Sequence, residues 1–241
     1  MLRELFGDFS NDEESNPLLN DAFSAMQKAT QFLQNEMKRN EDPTHDLRKI
    51  EIWTRGLTSS LVELEQSYSV SVYFRKLIIN GLMDDMTEDE RNAYARYVYF
   101  YKNGFIRVFA ILDKLGTVLN EMYDLQTSKV KSQYSFFTVL RQFSQHQKHG
   151  TLGLMLRTIK EDYREPLNIL RKRRNAEIHY MNAEMQDDLW QRHQGLHDKI
   201  ILEDVDKHLL ELKQAIDMVC KTLSTVYTYT NKQWINKSIR I

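Results

Sequence analysis

The chain has little cysteine, proline or glycine, and each shortage narrows what it can be. One cysteine in 241 residues, Cys220, excludes an internal disulfide and fits a reducing compartment. Three prolines and eight glycines leave little material for the tight turns of an all-β fold. No apolar run is long enough to read as a membrane span, so no membrane partner is expected. The opening residues M-L-R-E-L-F-G-D-F mix charges and lead into no apolar core. They do not read as a secretory signal, and a cytoplasmic location is expected. A Gly-rich phosphate loop, a G-x-S-x-G turn and a catalytic-cysteine context are missing too. Neither charge sign dominates: 33 Lys and Arg face 34 Asp and Glu, for a net charge of −1. Any affinity for nucleic acid must then come from a local patch and not from the field of the whole molecule.

What the chain does have is helical periodicity. Residues 1–15 are acidic and expected to be loosely docked. Asn16-Pro17 opens a first helix, with Asn as N-cap, that runs to about Arg39. Glu41-Asp42-Pro43-Thr44 breaks it, and Thr44 is expected to cap the next. In that helix Ile50, Leu57, Leu64 and Ser71 recur every seven residues, interleaved with Leu47, Leu61 and Tyr68. The β-branched and aromatic stretch Val70, Val72, Tyr73, Phe74 weakens the helical signal toward Gly81. Thr87-Glu88-Asp89-Glu90 has the form of a capping box. It opens the cleanest stripe in the chain: Tyr94, Val98, Tyr101, Phe105, Val108, Leu112, Leu115, Leu119 and Met122, predicting a helix over about 88–125. Shorter helices follow around Phe136–Phe143 and Leu154–Tyr163. Pro166 opens another, with Leu167, Leu170, Arg174, Ile178 and Met181 on one stripe. Residues 184–202 read as a loop carrying Trp190, and a last helix spans about Glu203–Thr230. The expected fold is all-α: an up-and-down bundle of long antiparallel helices with short intervening helices. Its parts would be a flexible 1–15, N-terminal helices over 16–81 packed on the bundle, a core over 82–230 and a tail over 231–241.

The densest chemistry lies in L-R-K-R-R-N-A-E-I-H-Y, residues 170–180. Arg174 can hold a phosphate through two N–H groups and stays charged. His179 can move a proton near neutral pH. Asn175 and His179 are four apart and share a helix face, whereas Arg174 and His179 flank one. Together they could serve attack by a ribose 2′-hydroxyl on the adjacent phosphorus, which needs a proton carrier and a cation but no metal. The competing reading pairs Arg174 with a carboxylate and leaves His179 a satisfied core histidine. Arg171, Lys172 and Arg173, with Arg157, Lys160 and Arg164 upstream, form either an RNA-binding patch or a solvated helix face. Tyr180 and Tyr163 could stack on unpaired bases or serve the core. His193 and His197, and His146 and His149, have metal-pair spacing, but Gly195 and Gly150 argue against it, and no metal or cofactor is expected.

R-N-A-E-I-H resembles the arginine, polar residue, spacer and histidine signature of the HEPN superfamily. The resemblance implies an all-α bundle and, as in many members, a metal-independent ribonuclease of a bacterial toxin–antitoxin or defence setting. It implies that Arg174 and His179 are the catalytic pair, with Asn175 beside them. A second segment, I-L-D-K-L-G-T-V-L-N over residues 111–120, is similar to an L-D-K…N helix of some bacterial stand-alone members. It implies supporting roles for Asp113, Lys114 and Asn120. Active members generally join two copies of the motif in a dimer, so RNA, a homodimer partner and a protein antitoxin or regulator are the expected partners. The alternative is a non-catalytic HEPN-like bundle that binds RNA or protein.

Overall fold

The computed structural model describes residues 16–39, 42–143, 149–179 and 201–238. The expectations for residues 1–15, for the 184–202 loop with Trp190 and for Tyr180 fall largely or wholly outside that range. Its helices are α1 Pro17–Arg39, α2 Asp46–Lys76, α3 Glu88–Met122, α4 Phe136–Gln142, α5 Gly150–Asp162, α6 Arg164–His179 and α7 Val205–Ser238. Two short 3-10 turns, Met83–Asp85 and Thr127–Lys129, lie between them. Among the described residues the β component is a single isolated bridge between Leu82 and Ile201. The fold is an all-α helical bundle.

Local chemistry accounts for the first three helix starts. The Asn16 side-chain oxygen accepts the Leu18 amide at 3.1 Å, as an N-cap should. Thr44, expected to cap α2, instead donates to the Asp46 carboxylate. The capping acceptor is Asp42, which takes the Arg48 amide at 3.0 Å and the Leu47 amide at 3.5 Å. The chain can curl back in this way because His45 adopts a left-handed conformation, φ 58°. The capping box at α3 forms as expected: the Glu90 amide donates to the Thr87 hydroxyl, and the Thr87 amide to the Glu90 carboxylate. Glu90 also accepts the Ile79 and Asn80 amides and the Asn80 side chain. One buried carboxylate thus closes the end of the α2–α3 connection onto the start of α3.

The described residues fall into two compact units. The first comprises 63–108, 164–179 and 201–216. Its core holds Leu64, Val70 and Phe74 from α2, so the β-branched stretch stays helical because tertiary burial outweighs its propensity. α3 contributes Tyr94, Tyr97, Tyr101 and Phe105. Tyr97 takes the place expected for Val98, which is half-buried; the Tyr97 hydroxyl donates to the Val205 carbonyl at 3.0 Å. Tyr94, Tyr97 and Tyr101 stack in series with centroids 6.2 and 5.9 Å apart. α3 and α7 approach closely at Gly104, where a Cβ would lie 2.9 Å from a methyl of Leu212. Leu167 and Leu170 of α6 are 4 % and 0 % exposed. Each contributes roughly 1.5–3 kcal/mol by leaving water, which seats α6 in this unit.

The second unit comprises 16–62, 109–143, 149–163 and 217–238. Here α7 runs to Ser238, beyond the helix end expected near Thr230. Its last turns are held by Trp234, stacked on Phe32 at 5.1 Å, and by the Asn231 amide group, which donates to the Ala25 carbonyl. Gly116 lets α3 approach the start of α4, since a Cβ there would lie 3.0 Å from the Phe136 backbone.

Candidate functional site

α6 begins at Arg164, two residues before Pro166. Proline is tolerated there because first-turn amides have no carbonyl to meet within the helix. The helix carries the whole sequence cluster from Arg171 to His179. Arg171, Lys172, Asn175 and His179 are exposed, and Arg173 and Arg174 are half-buried. His179 is therefore a surface residue at the end of the helix and not a packed core histidine. Arg174 and His179 sit about 7.5 Å apart along the axis and about 140° apart around it for regular helix geometry. Asn175 lies on the same exposed side as His179.

Arg173 has partners on two other helices. Arg173 Nη1 donates to the Tyr101 hydroxyl at 2.5 Å and to the Glu211 carboxylate at 2.5 Å. Its guanidinium carbon stands 5.9 Å from the centre of the Tyr101 ring. The Glu211 side chain is 6 % exposed and that of Arg173 24 %. One turn further, Glu177 pairs with Lys102 of α3 at 3.0 Å. Arg173, expected on the RNA-binding surface, is thus engaged inside the unit, where its charge is matched by a buried carboxylate.

His208 of α7 lies on the other side of this cluster. Its ring stacks on Tyr101 at 5.4 Å, and its Nε2 is 3.6 Å from the Glu203 carboxylate. Burial, and then the nearby Arg173 charge, push its pKa down to about 4, so it is neutral near pH 7. Burial also drives Tyr101 well above the ordinary phenol range, which keeps its hydroxyl protonated. His208, Tyr101 and Glu211 were absent from the sequence-level candidates. The one available signal was a histidine and a glutamate, three apart, close to the apolar stripe of α7.

Asp113, Lys114 and Asn120 belong to the second unit, where each has a partner. Asp113 accepts the Phe136 amide at 3.0 Å, at the start of α4. Lys114 donates to Ser60 at 2.8 Å. Asn120 accepts the Thr127 amide at 2.9 Å and orders the turn after α3. Arg157 and Lys160 also lie in that unit, on α5, with Arg157 bonded to the Gly153 carbonyl and Lys160 to Glu161. His149 meets the Tyr229 hydroxyl at 3.2 Å, while His146, His193 and His197 lie outside the described residues. Among the described residues no three His, Cys, Asp or Glu side chains gather as a metal site, and no helix is long and apolar enough to cross a membrane.

The family model described as HEPN_Cthe2314-like HEPN matches residues 53–231. The match starts inside α2, upstream of both segments that carry the motif resemblance, and it includes all of α6. No curated protein matches the chain, and no solved structure does. With most of its length matched, from α2 to α7, the chain belongs to the HEPN superfamily.

Proposed function

We propose that this HEPN chain is a metal-independent endoribonuclease of a bacterial toxin or defence setting. Its site would be composed from the α6 helices of two copies. Arg174 binds the scissile phosphate, His179 moves a proton or stabilises developing charge, and Asn175 orients one of them or the RNA. Arg171 and Lys172 guide the RNA backbone. The 2′-hydroxyl attacks the adjacent phosphorus, the 5′-oxygen leaves, and a 2′,3′-cyclic phosphate remains. That chemistry needs a cation on the phosphoryl oxygens and a proton carrier, which an arginine and a histidine supply.

The observation that carries this reading is the exposure pattern of α6 within the family-matched region. His179 and Asn175 face solvent, and Arg174 on the same helix is half-buried. An exposed histidine and two exposed basic side chains, with an arginine on the same helix, suit an anionic polymer. The large axial rotation between Arg174 and His179 favours a site completed by a second copy. Ile178, 52 % exposed and next to His179, supplies an apolar contact for that copy. A protein antitoxin or regulator could use the same face, which is the form the non-catalytic reading would take.

The test is incubation of purified chain with unstructured RNA in excess EDTA, followed by analysis of the product ends. Cleavage leaving 2′,3′-cyclic phosphate supports the reading. RNA bound but left whole under all conditions would favour the non-catalytic binding bundle.

A further inference from the structure

Arg173, which the fold clamps from two helices, is next to the arginine assigned to the phosphate. Regular helix geometry turns each residue by about 100°, which brings Leu167 and Ile178, eleven apart, to within about 20° of one face. Leu167 is 4 % exposed, yet Ile178 is 52 % exposed. The inward face of α6 therefore does not follow its apolar stripe to the end. In the last turns it passes to Arg173 and Glu177, whose partners are Glu211 and Tyr101 for the first and Lys102 for the second. These polar anchors lie to one side of the Leu167–Ile178 line. In the same turns Ile178 and His179 are exposed and Arg174 is half-buried.

We propose that Arg173, clamped by Glu211 and Tyr101, is a positioning residue that fixes the rotation of the motif helix, and that it makes no contact with RNA. An arginine suits the role because one Nη nitrogen carries two hydrogens, which here go to two different helices, α3 and α7. A lysine would keep the charge without the rigid fork. Tyr101 is itself fixed between Tyr97 and the His208 ring, so the acceptor does not swing. The catalytic part of the proposal rests on the ribonuclease reading; the positioning part does not.

The experiment compares Arg173→Met, Arg173→Lys, Glu211→Gln and Tyr101→Phe with Glu165→Gln, an exposed position in the first turn of the same helix, as a surface control. Turnover, KM and the salt dependence of RNA binding are measured below the melting temperature, together with amide hydrogen exchange along 171–179. Arg173→Met and Glu211→Gln should lower kcat by about a hundredfold, as small displacements of catalytic groups do, with KM and salt slope unchanged. Arg173→Lys should recover part of kcat. The same two variants should speed exchange along 171–179, and Glu165→Gln should not. If Arg173→Met flattens the salt slope by about 0.7, the loss of one phosphate contact on a single strand, the proposal is overturned. It is overturned equally if Glu211→Gln tightens RNA binding, because that would mean a released Arg173 reaches the backbone. A wild type that never cleaves would remove the ribonuclease reading alone. Exchange would then decide the positioning claim, with protection equal to wild type overturning it. Should Arg173→Met fail to fold, Glu211→Gln and Tyr101→Phe carry the same comparison.

Discussion

Arg173 Nη1 and Glu211 Oε2 meet at 2.5 Å, and Glu211 has almost no contact with solvent. Removing the carboxylate leaves a half-buried guanidinium without its matching charge. Because Arg173 keeps 24 % of its side-chain surface exposed, Glu211→Leu should cost less than the roughly 3–5 kcal/mol of a fully buried pair, about 2 kcal/mol. Urea denaturation of the variant beside wild type measures it. A loss near zero would mean that the pair contributes nothing net to the fold.

Glu90 ties stability to acid. Amides of Asn80, Ile79 and Thr87 donate to its carboxylate and hold its pKa down to about 2, against an ordinary 4.5. The unfolded chain therefore binds a proton at Glu90 that the folded chain refuses between those values. The stabilisation is complete above 4.5 and is lost as pH falls toward 2. Glu90→Gln should be less stable than wild type at neutral pH, and the gap should narrow over that window. A gap independent of pH would contradict the assignment.

His208 acts in the same direction at higher pH. Its folded pKa of about 4 lies below the ordinary 6.5, so the unfolded state takes up the proton first. Its contribution is whole above 6.5 and fades as pH drops toward 4. His208→Phe keeps an aromatic ring against Tyr101 and removes the titration. Its stability should vary less between pH 6.5 and 4 than that of wild type, as read by thermal melts across that range.

Much of this was legible in the sequence, and the misses share a cause. The capping box at Thr87–Glu90, the α3 stripe and the motif helix follow from local spacing, and local spacing is visible in one dimension. That Arg173, beside the equally half-buried Arg174, pairs with a buried carboxylate was not visible. Both belong to one basic run, and the deciding partner, Glu211, is 38 residues away from Arg173. The supporting roles of Asp113, Lys114 and Asn120 rest on resemblance to a family helix, and the sequence did not show what holds these side chains. Their observed partners, Phe136, Ser60 and Thr127, are tertiary or turn contacts that no periodicity encodes. The extra turns of α7 depend on Phe32, about 200 residues earlier in the chain than Trp234.

RNA affinity should depend on Arg171 and Lys172, the exposed members of the run. Neutralising both should flatten the logarithmic salt dependence by about 1.4, at roughly 0.7 per contact on a single strand. Filter binding across a salt series checks this. An unchanged slope would move the RNA-binding surface off α6.

Ile178 should matter for assembly. Light scattering at micromolar concentration is expected to report a dimer for wild type and a monomer for Ile178→Glu, which places a charge on the exposed apolar residue beside His179. A monomeric wild type would contradict a site built from two copies.

The most direct test of the account is cleavage of unstructured RNA by wild type, Arg174→Ala and His179→Ala, each shown to be folded. His179 is exposed, so its removal should leave stability within about 0.5 kcal/mol of wild type. Both variants should lose at least about a hundredfold in turnover, the lower range for a positioned proton carrier. Arg174→Ala should bind RNA more weakly as well, because it loses a charge-assisted phosphate contact. Wild-type cleavage that both variants retain undiminished would contradict the assignment of Arg174 and His179.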